Sequence, residues 1–232
     1  MKIFAISDLH IAGTPEKSME VFGGSWIGYL DKIKADWESK VSEEDIVLIS
    51  GDISWAMTLD DAIKDIYTLK NLKGKKVFIK GNHDYWWNGI GKIRAALPED
   101  FYALQNDSVK FGDVILCGSR GWCVPGSPEF GEHDEKIYLR ETERFRLSLK
   151  SAVKLKENGD KLIAMVHYPP FTPRHEDTAF TKIFEEYNVD KVVYGHLHGK
   201  FLKVDRFTVK NGIEYYLTSC DMTDNKLTEI NL

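Results

Sequence analysis

The sequence has only three cysteines in 232 residues, Cys117, Cys123 and Cys220, and no Cys-x-x-Cys. An odd number without that spacing excludes a disulfide framework and indicates no sulfur zinc site. Long apolar runs are missing too: nothing approaches the ~18–20 residues of a membrane span, so no membrane insertion is expected. The opening Met1-Lys2-Ile3-Phe4-Ala5-Ile6-Ser7-Asp8 meets charge too early for a signal-peptide core. Positive charge is not in excess. Lys and Arg number 31 against 36 Asp and Glu, a net −5, which argues against a nucleic-acid partner held on a broad basic face. Hydrophobic residues at 43% and aromatics at 12% are enough for a core and too many for a disordered chain. A single cytoplasmic globular domain over 1–232 is the expectation.

What is there is a series of short apolar runs: Lys2–Ser7, Asp45–Ser50, Lys75–Lys80, Asp113–Cys117, Lys161–Val166 and Asp190–Tyr194. Four to six apolar, often β-branched residues without alternation suit strands buried on both faces, which need covering layers. Helices between them supply the cover. Thr58–Leu72 has Thr58 as N-cap, Asp60 and Asp61 against the dipole, an apolar stripe of Leu59, Ile63, Ile66 and Leu69, and Gly74 as stop. Trp26–Lys40, Asp134–Glu157 and Ala179–Tyr187 are further helices, the second a surface helix with Ile137, Phe145, Leu149 and Val153 on one side. Lys200–Val209 and Ile213–Ser219 read as strands around an Asn211-Gly212 hairpin turn. Two loops, 118–132 and 168–177, hold five of the seven prolines and are candidate pocket walls.

The residues after five of the six runs, all but Asp113–Cys117, carry the chemistry. They are Asp8-Leu9-His10, Gly51-Asp52, Gly81-Asn82-His83-Asp84, His167 and Gly195-His196-Leu197-His198, and they include five of the seven histidines. Ligands in open α/β sheets gather beyond the carboxyl ends of strands, so these segments are expected to meet at one edge. Alternation along extended backbone would put Asp8 with His10, and His196 with His198, on one side. Carboxylate, amide and imidazole donors without thiolate suit Mn, Fe or Zn, and so many such positions exceed the needs of one ion. Two divalent ions sharing a carboxylate, about 3.5–4 Å apart, are the natural alternative.

In this order the five blocks resemble the calcineurin-like metallophosphoesterases, whose pattern runs Asp-x-His, Gly-Asp, Gly-Asn-His-Asp or Glu, His, Gly-His-x-His. The match spans 191 of 232 positions with no departure at a ligand position. The resemblance implies an α/β fold, a four-layer αββα sandwich of two mixed β-sheets flanked by helices. It implies a first metal on Asp8, His10, Asp52 and His198, and a second on the shared Asp52 with Asn82, His167 and His196. The ions would be Mn or Fe, with Zn as a third option. His83 would lie over the phosphoryl oxygen and assist the leaving group, with Asp84 either orienting that imidazole or capping its turn. The implied activity is hydrolysis of a small phosphomonoester or phosphodiester by a metal-bridging hydroxide. A cyclic-nucleotide phosphodiesterase, a nuclease and a non-catalytic binding scaffold are the alternatives.

For substrate recognition Arg120, in Gly118-Ser-Arg-Gly-Trp122, follows a strand and is a candidate phosphate ligand beside Asn82 and His83. His133, Arg174 and His175 are weaker candidates. Of Trp55, Trp86, Trp87 and Trp122 at least two are expected in the core, the others being available to stack on a base or sugar. Phe22 and Trp26 are faint hints of an apolar lid.

Overall fold

The computed structural model describes residues 1–13, 18–199 and 202–232. Among these the strands are β1 (Ile3–Ile6), β2 (Ile46–Ile49), β3 (Lys75–Ile79), β4 (Phe101–Leu104), β5 (Asp107–Phe111) and β6 (Val114–Ser119). They continue with β7 (Lys161–Val166), β8 (Lys191–Tyr194), β9 (Phe207–Lys210), β10 (Ile213–Leu217) and β11 (Thr228–Glu229). The helices are α1 (Tyr29–Lys40), α2 (Leu59–Tyr67), α3 (Ile90–Ala96), α4 (Asp134–Val153) and α5 (Ala179–Glu186).

One sheet has the order β11-β1-β2-β3-β4, parallel except for β11; the other runs β5-β6-β7-β8-β10-β9, parallel except for its two edges. Period-two geometry builds the layers. Ile3, Ala5, Leu48 and Val77 face inward onto Leu116, Ile163 and Val193 of the second sheet. Phe4, Val47 and Phe78 face outward onto Ile33 and Trp37 of α1, Ile66 of α2 and Ile93 of α3. On the far side Ile115, Leu162 and Val192 pack with Phe145 and Leu149 of α4 and Phe184 of α5. This is the expected four-layer sandwich of two mixed sheets, and it explains why the runs lack a polar face.

Local signals set the helix ends. Thr58 accepts from Asp61 N to start α2, and Thr178 and Thr181 form a reciprocal capping box at α5. Helix α2 stops at Tyr67, short of Leu72. Helix α4 stops at Val153, short of Glu157, and Val153 is exposed; the buried face runs instead through Tyr138, Glu141, Phe145, Ser148, Leu149 and Ala152. A 3-10 turn, Gly24–Trp26, precedes α1, with left-handed Gly28 between them. The strand expected over Lys200–Val209 is confined to Phe207–Lys210: residues 200–201 lie outside the described residues, and 202–206 are not extended into a ladder. The hairpin does form, with Asn211 and Gly212 both at positive φ, 51° and 82°.

The unforeseen elements have weak local patterns. Strand β5 is an edge strand half-buried along its length, β11 is two residues long, and α3 contains Gly91 and has no side-chain cap. Among the described residues no helix is long and apolar enough to cross a membrane.

The sheets are stitched together at the carboxyl ends of β1 and β10. Ser7 N donates to Thr218 O at 2.8 Å, and Cys220 N donates back to Ser7 O at 3.1 Å.

Candidate metal centre

Beyond this seam the chain turns sharply at each strand end. Asp8, His10, Asp52 and His196 have positive φ, between 44° and 72°. Left-handed backbone costs a non-glycine residue about 1–3 kcal/mol, and such strain collects where geometry serves a site. It also corrects an expectation: left-handed turns, not extended alternation, aim Asp8, His10 and His196. The turned loops are held by Asp8 N to Gly51 O (3.0 Å) and His10 N to Asp52 O (2.9 Å), with Leu9 buried in the helix-side core. Two motif glycines permit the approach. A Cβ on Gly81 would collide with the backbone and carboxylate of Asp52, and one on Gly195 with Ser7 and the Asp8 carboxylate.

Two groups of donor atoms result. In the first, His198 Nε2 lies 3.3 Å from Asp8 Oδ1 and 3.4 Å from His10 Nε2. In the second, Asn82 Oδ1 lies 2.6 Å from His167 Nε2 and 2.9 Å from His196 Nδ1. Asp52 stands between them: Oδ2 is 3.8 Å from His10 Nε2 and 3.5 Å from His167 Nε2. Its other oxygen accepts from His83 N at 2.7 Å, which fixes the carboxylate's orientation. Asp8, His10 and His198 converge as one possible ion-holding group, and Asp8, Asp52 and His167 as another.

The electrostatics fit divalent cations. Asp8, Asp52 and Asp84 are three fully buried carboxylates in neighbouring loops. Burial, then repulsion from Asp84 and Asp8, pushes the Asp52 carboxyl up to about 9, so a cation beside it would favour the ionised form. Burial holds His10 and His167 at about 3, so both are neutral imidazoles with a lone pair to offer. Burial would lower His198 as well, but hydrogen bonds with Asp221 and Asp8 raise it to about 10. Burial likewise opposes the charged form of Asp8, yet the His198 hydrogen bond and the neighbouring imidazoles bring it well below the usual carboxylate range. Oxygen and imidazole donors without thiolate suit Mn, Fe or Zn.

Two flanking carboxylates were not foreseen. Asp221 Oδ1 lies 2.8 Å from His198 Nδ1, and Glu129 Oε2 lies 3.2 Å from His196 Nε2. Each meets the ring nitrogen that faces away from the donor group, as carboxylates behind metal-bound histidines do. Asp221 had a signal, since Ser219-Cys220-Asp221 follows a strand run; Glu129 had none beyond its place in loop 118–132. That loop and 168–177 do wall a cavity, of about 330 Å³, which reaches His196.

His83 is half-buried beside the first donor group, its ring 4.5 Å from Trp55 and 5.7 Å from His10. Its buried Nδ1 has no hydrogen-bond partner. Burial, then the His196 charge, holds its pKa below the ordinary value. Asp84 does not orient that ring. Its carboxylate accepts from the backbone N–H of Gly81, Asp52, Ile53 and Ser54 and from Trp86 Nε1, all at 2.7–3.2 Å. It is the turn-capping carboxylate that ties the Asp52 loop to the Asn82 loop. Arg120 also departs from expectation: its guanidinium lies 3.3 Å from Glu141 and over the Trp122 ring, not among the metal-side donors. Trp26 and Trp55 pack around His10, while Trp86 and Trp87 are buried in the core. His133 and Arg174 are exposed, and His175 packs on Phe171.

A family description, calcineurin-like phosphoesterase, matches residues 1–200. An uncharacterized metallophosphoesterase of Helicobacter pylori is 24% identical over 205 residues, covering 85% of this chain and 44% of that protein. The chain thus spans less than half the length of that curated relative. Among solved structures, TT1561 of Thermus thermophilus superposes with a TM-score of 0.60 at 14% identity, covering 99% of this chain and 97% of the other. The phosphopantetheinyl hydrolase of Mycobacterium tuberculosis superposes at 0.58 with 15% identity, covering 99% and 95%. At such identity these likenesses concern the fold. Fold, strand-end donor set and family match agree, and the chain belongs to the calcineurin-like phosphoesterases.

Proposed function

We propose that the protein is a metal-dependent phosphohydrolase acting on a phosphomonoester or phosphodiester. The observation that carries this is Asp52 Oδ2, placed between His10 Nε2 and His167 Nε2 with its carboxylate locked by His83 N. One divalent ion would be held by Asp8, His10, Asp52 and His198, and a second by Asp52, Asn82, His167 and His196. When bound, such a pair supplies hydroxide at neutral pH and positive charge for the phosphoryl oxygens.

The chain's own residues do the rest. With Asn82 Oδ1 turned to the imidazoles, its amide NH₂ is left to donate to a phosphate oxygen. The His83 ring stands beside His10, where a phosphate's negative charge would raise its proton affinity against the lowering effect of burial. Protonated in that complex, it donates to the departing oxygen. Asp221 and Glu129 hold the rings of His198 and His196 in one orientation. The cavity walled by the two proline-rich loops reaches His196, which supports a small phosphoester as substrate.

The test is hydrolysis by chelated protein to which Mn²⁺, Fe²⁺, Zn²⁺ or Mg²⁺ is restored separately, against a chromogenic phosphomonoester, a chromogenic phosphodiester and cyclic AMP. Metal-restored turnover of one ester class supports the reading and narrows the substrate. Failure to bind any metal overturns it and favours a binding scaffold.

A further inference from the structure

Beside the metal edge a second cavity of about 330 Å³ opens between the ends of β3 and β6. Its charged wall is formed by Lys80, Arg120, Arg140 and Arg144, with Glu141 as the one carboxylate. Four cations against one anion are concentrated here in a chain whose net charge is −5. Glu141 is buried, and its Oε1 is approached by Arg144 at 2.6 Å, Arg120 at 3.3 Å and Arg140 at 3.7 Å. One carboxylate therefore arrays three guanidinium groups and cannot neutralise them. Lys80, half-buried, makes no hydrogen bond or ion pair among the described residues.

The amides nearby add donors. Gln105 Oε1 is occupied by Trp87 Nε1 at 2.6 Å, and Asn106 Oδ1 by Ser119 Oγ at 3.0 Å, so each has its NH₂ remaining. A cavity with surplus positive charge and N–H donors is complementary to a phosphate. Two of its wall residues are tied to the metal donors through the backbone. Lys80 stands two residues before Asn82, and the Arg120 carbonyl accepts from His167 N at 3.0 Å.

We propose that this cavity is a subsite for a second phosphate of the substrate, whose scissile phosphate lies at the metal centre. The proposal rests on the phosphohydrolase reading for its catalytic meaning, and it makes the preferred substrate a bisphosphate rather than a simple monoester. Arg120 then grips phosphate, but not the phosphate that reacts.

The test measures kcat/KM of the metal-loaded protein on α,ω-alkanediol bisphosphates of increasing chain length and on the matching monophosphates. Lys80→Gln removes an unpaired charge without breaking an ion pair, and Lys80→Arg keeps the charge. The expected result is a wild-type preference for one bisphosphate length that falls about tenfold in Lys80→Gln, the worth of one charged hydrogen bond, and returns in Lys80→Arg. Turnover with no preference at any length, or a preference indifferent to Lys80→Gln, overturns the subsite and leaves the phosphohydrolase reading standing. Calorimetry of the metal-chelated full chain with inorganic pyrophosphate reads the cavity without turnover. Binding lost in Lys80→Gln while every ester remains uncleaved supports the anion site and overturns its role as a subsite for these bisphosphates. Pyrophosphate binding of equal strength in both proteins overturns the anion site.

Discussion

Asp221 Oδ1 lies 2.8 Å from His198 Nδ1, and the other oxygen of the same carboxylate accepts from Gly199 N at 2.8 Å. The contact makes His198 Nδ1 the protonated nitrogen and leaves Nε2 to face Asp8 and His10. Asp221→Asn is expected to weaken metal binding by about 10–100-fold while the fold persists. Competition with a fluorescent chelator measures it, and unchanged affinity would remove Asp221 from the site.

Asp52 sits between both donor groups, so Asp52→Asn should affect two ions at once. The expected outcome is a fall from two bound metal equivalents to one or none, read by elemental analysis after desalting. His198→Ala, by contrast, touches one group and should spare the second equivalent.

His83 donates its backbone N–H to the Asp52 carboxylate, and its ring Nδ1 has no hydrogen-bond partner, which leaves the ring available for the role proposed above. His83→Ala should retain both metals and lower kcat by about 10²–10⁴-fold. Steady-state kinetics with the metal content of the same sample checks this. Equal turnover would sink the assigned role.

Asp84 satisfies five buried donors, and its contribution is to structure. Asp84→Ala leaves those donors unpaired and is expected to cost about 3 kcal/mol or more, a drop of roughly 6–12 °C in Tm for a chain of this size. Asp84→Asn keeps one acceptor oxygen and should fall between. Calorimetric melting in the presence of chelator separates this effect from metal binding.

Gly81 has no room for a Cβ, which would meet both the backbone N and the carboxylate of Asp52. Gly81→Ala should therefore displace the Asp52 carboxylate, lowering metal affinity with a smaller loss of Tm than Asp84→Ala. The same two measurements read it.

Chain order by itself determined the donor set and where it would assemble. Apolar runs such as Lys161–Val166 are long enough for one buried strand, and five of the six are followed by residues with metal-binding chemistry. Layered packing follows, because strands without a polar face must be covered on both sides. Only the tertiary structure decided how each donor is used. That Asp84 caps the Asp52 loop instead of orienting His83, that Arg120 turns to Glu141, and that Asp221 and Glu129 stand behind His198 and His196 all depend on contacts across 21 to 67 positions, some through proline-rich loops. The physical reason is range. Strand and cap signals are local and repeat along the chain, whereas the partner of a buried charge is chosen by whichever loops the packed sheets bring beside it.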